Sequence, residues 1–310
     1  RSGAKKLIPA AGLASRKNTG RCEKLFTVPS TKNAEFFTQF KRKSMEAAMQ
    51  MKVRDINVNF EVAGRESGPV VICSHCLAGN INIWDPQVKA LEKDYRILRY
   101  DLRGHGQTSA PEGDYTMEML ADDAAALLDA LEIEKAHFMG ISLGGMIGQT
   151  LALSHPERLL SLVLCDTACS IPKDSGPLWE ERISAARKNG MEALADGTLE
   201  RWLSPEFQKN NPEVTGKIRE IIKRTPVDGF AGCCRAISGF DVSGRLSSIS
   251  LPTLVMVGEN DPGTPVEASQ EIRDKIRGSV LKVLPGAFHL SNTEAAGSFN
   301  SALADFLAGL

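Results

Sequence analysis

The sequence predicts an α/β fold in which a mostly parallel central sheet carries helices on both faces. Along most of the chain, short apolar runs alternate with longer amphipathic segments, a pattern typical of strands joined by crossover helices. Runs without polar alternation, such as Val70 to Cys73, are typical of strands that are covered on both faces. From about residue 172 to residue 246 only helical spacing is found. We therefore expect a helical cap inserted after the sixth strand.

The elements follow in chain order. A bent or paired hairpin is expected at 53–62, with further strands at 70–74, 96–100, 136–141, 159–164, 253–257 and 280–283. A helix is expected at 117–131, because its apolar residues recur at helical spacing, and another at 295–307. Residues 45–171 and 247–310 would then form the core, and residues 172–246 the cap.

The charge is distributed unevenly. Residues 1–44 carry eleven Lys or Arg against Glu23 and Glu35, a net +9, and the remaining 26 basic and 36 acidic residues give −10. The basic segment is expected to be a disordered extension: vector or read-through sequence, a transit peptide or a functional tail. The acidic body argues against nucleic acid as a partner. The chain has no apolar run of eighteen residues, which argues against a membrane span.

The cysteine pattern favours a reducing, cytoplasmic location. The chain has seven cysteines without an evenly spaced framework. Cys73 and Cys76 have metal-like spacing, but no second pair accompanies them. We therefore expect no metal and no other cofactor. The sequence leaves the oligomeric state open, including a homo-oligomer.

The motif Gly140-Ile141-Ser142-Leu143-Gly144 predicts a nucleophilic serine. It lies between a predicted strand and a segment that is typical of a helix, the context in which a sharp turn exposes a serine hydroxyl. Glycines two residues before and after Ser142 leave room for the close approach of strand and helix.

A serine needs a base, and the base needs a carboxylate to orient it. His289 follows the last predicted strand, and Asp261 follows the strand before it, so both are expected at the edge of the sheet where Ser142 emerges. The order Ser, acid, His is that of the α/β-hydrolases. Asp166 and Glu259 remain alternatives to Asp261.

An oxyanion hole requires two backbone donors. The N–H of Leu143, at the start of the helix, is one candidate. The second is expected from the loop after strand 70–74, with Leu77 favoured and Cys76 as the alternative. Trp84 and Trp202 are candidates for walls of the substrate pocket.

The chain from about residue 51 onward resembles the 3-oxoadipate enol-lactone hydrolases, a branch of the α/β-hydrolases. The similar segments are NIWDPQ at 82–87, RYDLRGHG at 99–106, HFMGISLGGMIGQ at 137–149, GMEALAD at 190–196, ERW at 200–202, GFAGCCRAI at 229–237 and PGAFHLSN at 285–292. The loop after strand 70–74 differs, because it contains His75 and Cys76 where the family usually has Asn and Ser.

The resemblance implies a serine hydrolase that opens a small lactone bearing a carboxylate, in the catabolism of aromatic compounds. Such a substrate requires a cation, for which Arg201 and Arg235 are candidates. A short-chain carboxylesterase is the main alternative. A cofactor-free perhydrolase and a non-catalytic ligand receptor are further alternatives, whereas a serine in place of a carboxylate nucleophile disfavours a dehalogenase.

Overall fold

The computed structural model describes residues 49–310. The basic segment 1–44 lies outside the described residues, and so do the first residues of the predicted core. None of the helices among residues 49–310 combines the length and the apolar character that a membrane crossing requires.

The described residues form an eight-stranded sheet in the order β1-β2-β4-β3-β5-β6-β7-β8. The two antiparallel pairings join β1 to β2 and β2 to β4, and the remaining pairings are parallel. The strands are β1 Met49–Val53, β2 Ile56–Gly64, β3 Val70–Ser74, β4 Arg96–Tyr100, β5 Ala136–Ile141, β6 Leu159–Cys165, β7 Thr253–Gly258 and β8 Val280–Leu284. The predicted α/β class with a mostly parallel sheet is confirmed. The segment expected as a hairpin is a pair of strands that begins at Met49, four residues before the predicted start.

Helices cover both faces of the sheet. The core helices are α1 Asp85–Leu91, α2 Met117–Ala130, α3 Leu143–Ser154, α9 Val266–Lys275, α10 Ser291–Glu294 and α11 Ala296–Ala308. Helices α2, α3 and α9 pack on one face, and α1 and α11 pack against each other on the opposite one. Thr116 caps α2 by accepting a hydrogen bond from the Met119 N–H at 3.1 Å. The sequence analysis did not identify α1, α9 or α10, which are short or mostly polar.

The segment between β6 and β7 is helical. Its helices are α4 Gly176–Asn189, α5 Glu192–Trp202, α6 Pro205–Asn210, α7 Pro212–Arg224 and α8 Val227–Ser238. Buried side chains from this segment, including Trp202 and Phe230, belong to the same apolar cluster as residues of the central strands. Because β6 and β7 pair directly, the helical segment between them leaves the sheet uninterrupted.

Candidate active site

Ser142 lies in a strained turn between β5 and α3. Its φ of 56° and ψ of −116° are outside the regions that L-residues ordinarily adopt. A methyl group at Gly140 would lie closer than 3.0 Å to the Gly144 carbonyl oxygen, and one at Gly144 closer than 3.0 Å to that of Ser74. The two glycines are therefore required by the close approach of strand and helix, and the turn leaves the serine at the start of α3.

Asp261 and His289 form a hydrogen-bonded pair. The ring Nδ1 of His289 lies 2.7 Å from Oδ2 of Asp261. The other carboxylate oxygen accepts hydrogen bonds from the N–H groups of Gly263, at 2.8 Å, and Thr264, at 3.0 Å. The Thr264 hydroxyl donates to Oδ2 at 2.6 Å. This network holds the carboxylate in the orientation that fixes the imidazole tautomer.

Each partner shifts the pKa of the other toward the value that favours its charged form. Burial lowers the pKa of His289, but the charge and the hydrogen bond of Asp261, together with the charge of Asp166, outweigh burial, so the pKa is raised. For Asp261, burial raises the pKa, and the opposing effects of His289 and Thr264 outweigh it, so the pKa is lowered. His289 is thus a stronger base than a free imidazole.

Ser142 and His289 line one cavity of about 360 Å³. Residues of the cap, including Trp179 and Phe230, form much of the opposite wall. Within the described residues the Ser142 hydroxyl makes no hydrogen bond, and Ser142 is partly exposed where it lines the cavity. Hydrogen bonds between a nucleophile and its base are commonly long before substrate is bound.

The two predicted oxyanion donors are unpaired. Neither the Leu77 N–H nor the Leu143 N–H donates a hydrogen bond to another of the residues 49–310. Leu77 lines the cavity, and Leu143 begins helix α3 directly after Ser142. Cys76 is buried and is not among the described residues that line the cavity, so the geometry favours Leu77 over Cys76.

The two predicted tryptophans have different positions. Trp202 lines the cavity at the end of α5. Trp84 is fully buried in the apolar core and is not among the described cavity-lining residues. The expectation that Trp84 walls the pocket is therefore corrected. The short turn Ile81–Trp84 directs the indole inward, where a large aromatic side chain buries the most apolar surface.

Two arginines lie in the cavity. Arg201 and Arg182 both line it, and neither forms a salt bridge with another described residue. The Arg182 guanidinium stacks on the Trp179 ring at 4.8 Å. Burial lowers the pKa of Arg201, and the positive charge of Arg182, which lines the same cavity, lowers it further. Such a pair favours an anion in the cavity.

Arg235 is engaged elsewhere. It forms ion pairs with Asp114 and Glu180 and is not among the described cavity residues. Of the two cations proposed from sequence, Arg201 alone lies in the cavity. Arg182 was missed because a charged residue on a polar helix, such as α4, has no sequence signal that separates a cavity position from a solvated one.

The alternative acids have other partners. Asp166 accepts hydrogen bonds from the Gly258 N–H and the Ser291 hydroxyl. Glu259 accepts one from the Gly286 N–H on an exposed surface. Among the described residues, neither carboxylate is hydrogen-bonded to His289, so Asp261 is the acid that the geometry favours.

The remaining chemistry-bearing side chains are structural. Burial lowers the pKa of His75 to about 4 and that of His105 to about 3, so both rings are neutral. They accept hydrogen bonds from the N–H groups of Leu102 and Ala78, respectively. The six described cysteines are free and buried, and no group of three or more potential metal ligands occurs in residues 49–310.

The fold and the site together define an α/β-hydrolase. A family model described as the alpha/beta hydrolase fold matches residues 69–296. The 3-oxoadipate enol-lactonase 2 of Acinetobacter baylyi is 36% identical over 253 residues, which cover 82% of this chain and 94% of that protein. The chain therefore belongs to the 3-oxoadipate enol-lactonase family, as the sequence resemblance predicted, and it is a hydrolase.

Solved structures agree with this assignment. The enol-lactonase of Burkholderia xenovorans LB400 has a TM-score of 0.81 and 36% identity, and the match covers 84% of this chain and all of that one. A thermophilic esterase of Thermogutta terrifontis, solved with malate bound, has a TM-score of 0.79 and 28% identity, and that match covers 85% of this chain and 98% of the esterase.

Proposed function

We propose that this hydrolase opens a small lactone that bears a carboxylate, similar to 3-oxoadipate enol-lactone, through an acyl-enzyme on Ser142. The observation that carries the proposal is that the cavity with Ser142 and His289 also contains Arg182 and Arg201. A nucleophile and a pair of cations in one cavity fit a substrate with a reactive carbonyl and a separate anionic group.

The first half-reaction forms the acyl-enzyme. His289 takes the proton of the Ser142 hydroxyl as the serine oxygen attacks the lactone carbonyl carbon. The N–H groups of Leu77 and Leu143 donate to the oxyanion that develops. When this intermediate collapses, the ring C–O bond breaks, and His289 returns the proton to the departing enol oxygen.

The second half-reaction releases the acid. His289 takes a proton from water, whose oxygen attacks the ester carbonyl of the acyl-enzyme, and the serine oxygen leaves and regains the proton. Asp261 remains ionised throughout and stabilises the imidazolium. The enol tautomerises to a ketone, so the product is an oxo acid with one carboxylate more than the substrate.

A short-chain carboxylesterase is the second candidate. Apolar residues such as Ile171, Leu194 and Phe230 line part of the cavity, and they would accept a neutral acyl chain. The similarity to the Thermogutta terrifontis esterase also favours this function. The two candidates differ in whether the carboxylate of the substrate is recognised.

The test compares kcat/KM for 3-oxoadipate enol-lactone and for p-nitrophenyl acetate and butyrate, in the parent protein and in Ser142→Ala. We expect the lactone to be preferred and Ser142→Ala to lose activity by about 10⁴-fold or more. Substantial turnover in a folded Ser142→Ala protein would refute the mechanism. A preference for the neutral esters would favour the carboxylesterase.

The physiological setting remains a prediction. A role in the catabolism of aromatic compounds is inferred from the resemblance to the 3-oxoadipate enol-lactone hydrolases. A cytoplasmic location is inferred from the cysteines, of which the six described are unpaired.

A further inference from the structure

Residues 165–167, the last residue of β6 and the two after it, form a turn that contacts the nucleophile turn from two sides. The carbonyl oxygen of Cys165 accepts a hydrogen bond from the Ser142 N–H at 2.8 Å. The Thr167 hydroxyl donates to the Ser142 carbonyl oxygen, also at 2.8 Å. The backbone donor and the backbone acceptor of the strained serine are therefore both engaged by one neighbouring turn.

The middle residue of this turn contacts the other two catalytic loops. Oδ1 of Asp166 accepts a hydrogen bond from the Gly258 N–H at 2.8 Å, and Gly258 ends β7 three residues before Asp261. Oδ2 of Asp166 accepts one from the Ser291 hydroxyl at 2.5 Å, two residues after His289. One carboxylate thus links the loop of the acid to the loop of the base.

The environment of Asp166 is costly for a carboxylate. Its side chain is fully buried, and its φ of 43° lies in the left-handed region, which Asp tolerates better than most residues. Burial and the nearby charge of Asp261 raise its pKa well above the ordinary value. Asp166 is not among the described residues that line the cavity. It is therefore not placed to touch a substrate, and the two hydrogen bonds of its carboxylate are to Gly258 and Ser291, beside the loops of Asp261 and His289.

We infer that the turn of residues 165–167 positions the three catalytic loops relative to one another, and that Asp166 joins the loop of Asp261 to the loop of His289 through its two hydrogen bonds. The inference rests on the proposed function, because it assigns Asp166 a positioning role in that reaction. The three loops follow different strands, and nothing local in the sequence sets their separation. A displacement of about 1 Å between reacting groups can cost about 10²-fold in rate.

The test compares Asp166→Ala with Asp166→Asn. An asparagine keeps both links, since its carbonyl oxygen can accept from Gly258 and its amide can donate to the oxygen of Ser291. We expect Asp166→Ala to lower kcat by about 10- to 100-fold with KM changed by less than about threefold. Asp166→Asn is expected to restore kcat to within about threefold of the parent, and Ser291→Ala to give an intermediate loss.

The matched control is Ser161→Ala. Ser161 is a fully buried serine whose hydroxyl is hydrogen-bonded to a histidine, His137, at 2.8 Å, but it is not among the described cavity residues. We expect its removal to affect the thermal unfolding temperature and leave kcat unchanged. Thermal unfolding is measured for every variant to show that each protein is folded.

Two outcomes would overturn the inference. One is a folded Asp166→Ala protein with the parent kcat, and the other is an Asp166→Asn protein as slow as Asp166→Ala. If Asp166→Ala does not fold, Ser291→Ala provides the test. A kcat equal to that of the parent protein in Ser291→Ala would refute a positioning role for the hydrogen bond between Asp166 and Ser291. Ser142→Ala distinguishes a failure of the proposed function from a failure of this inference. If Ser142→Ala has the activity of the parent protein, the proposed function is wrong, whatever the Asp166 variants show.

Discussion

Nδ1 of His289 lies 2.7 Å from Oδ2 of Asp261, and the same oxygen accepts a 2.6 Å hydrogen bond from the Thr264 hydroxyl. The side chain of Asp261 is completely buried, and that of His289 is 9% exposed. A buried carboxylate with this many donors remains ionised and stabilises a positive charge on the ring that it contacts.

The first prediction concerns pH. The proposed mechanism needs neutral His289, whose pKa in the folded protein is raised above 6.5. We therefore expect kcat/KM to rise as the pH increases through that raised pKa and to be low at pH values below it. In Asp261→Asn, the main cause of the upward shift is gone. The acidic limb should then move to lower pH, and kcat should fall by about 10⁴-fold. The measurement is a pH profile of kcat/KM for both proteins, and an unmoved limb in Asp261→Asn would contradict the assignment of the acid.

The second prediction concerns the cavity cations. Loss of a charge-assisted hydrogen bond costs about 1.5–3 kcal/mol. Arg201→Gln and Arg182→Gln should therefore raise KM for a carboxylate-bearing lactone by about 10- to 100-fold. Kinetics with p-nitrophenyl acetate should change little, because this ester has no carboxylate.

Arg235→Gln is the control, since this arginine is paired with Asp114 and Glu180 and lies outside the cavity. Equal effects on the charged and the neutral substrate would contradict the role of Arg182 and Arg201.

The third prediction concerns the nucleophile turn. Gly144→Ala places a methyl group closer than 3.0 Å to the backbone of Ser74 and 3.0 Å from the carbonyl oxygen of His75. The free energy of unfolding should fall by about 3 kcal/mol or more, because backbone on both sides must move. Denaturant unfolding measures the change.

Gly297→Ala is the comparison, because a methyl group there meets no atom within 4 Å in helix α11. It should be stabilising by up to about 1 kcal/mol. A Gly144→Ala protein as stable as the parent would show that the turn has more room than the structure describes.

The fourth prediction concerns the contact between the cap and the loop of His289. The Glu294 carboxylate accepts hydrogen bonds from the Phe288 N–H at 2.9 Å and from the Ser204 N–H, in the cap, at 3.2 Å. Oε2 also lies 3.4 Å from the Ser204 N–H. In Glu294→Gln, a carbonyl oxygen at that place remains a neutral acceptor for both donors, and the shorter bond of Ser204 to Oε1 is lost. We expect a stability loss of about 1 kcal/mol and a severalfold decrease in kcat.

Glu206→Gln, at an exposed position of helix α6, is the matched control and should leave both quantities unchanged. Thermal unfolding and steady-state kinetics measure the two effects. If Glu294→Gln behaves like Glu206→Gln, the contact has no influence on the base.

The sequence predicted the elements that local chemistry determines. The glycines around Ser142 follow from the close approach of one strand and one helix, and the alternation of apolar runs predicted the parallel sheet. The geometry brings Asp261 and His289 together as the chain order suggested, because successive parallel strands end at the same edge. The identity of the acid, of the base and of the oxyanion donors remains a prediction until the variants are measured.

The sequence alone determined which residues have the chemistry of a hydrolase and in what order they follow β5, β7 and β8. The tertiary structure decided which side chains share the cavity. It buried Trp84 in the core, paired Arg235 at the surface, placed Arg182 in the same cavity as Arg201 and gave Asp166 contacts to two loops more than ninety residues away. The physical reason is that a sequence motif predicts only the local backbone of its own turn. Burial and charge pairing depend on segments that are far apart in the chain and come into contact only in the folded protein.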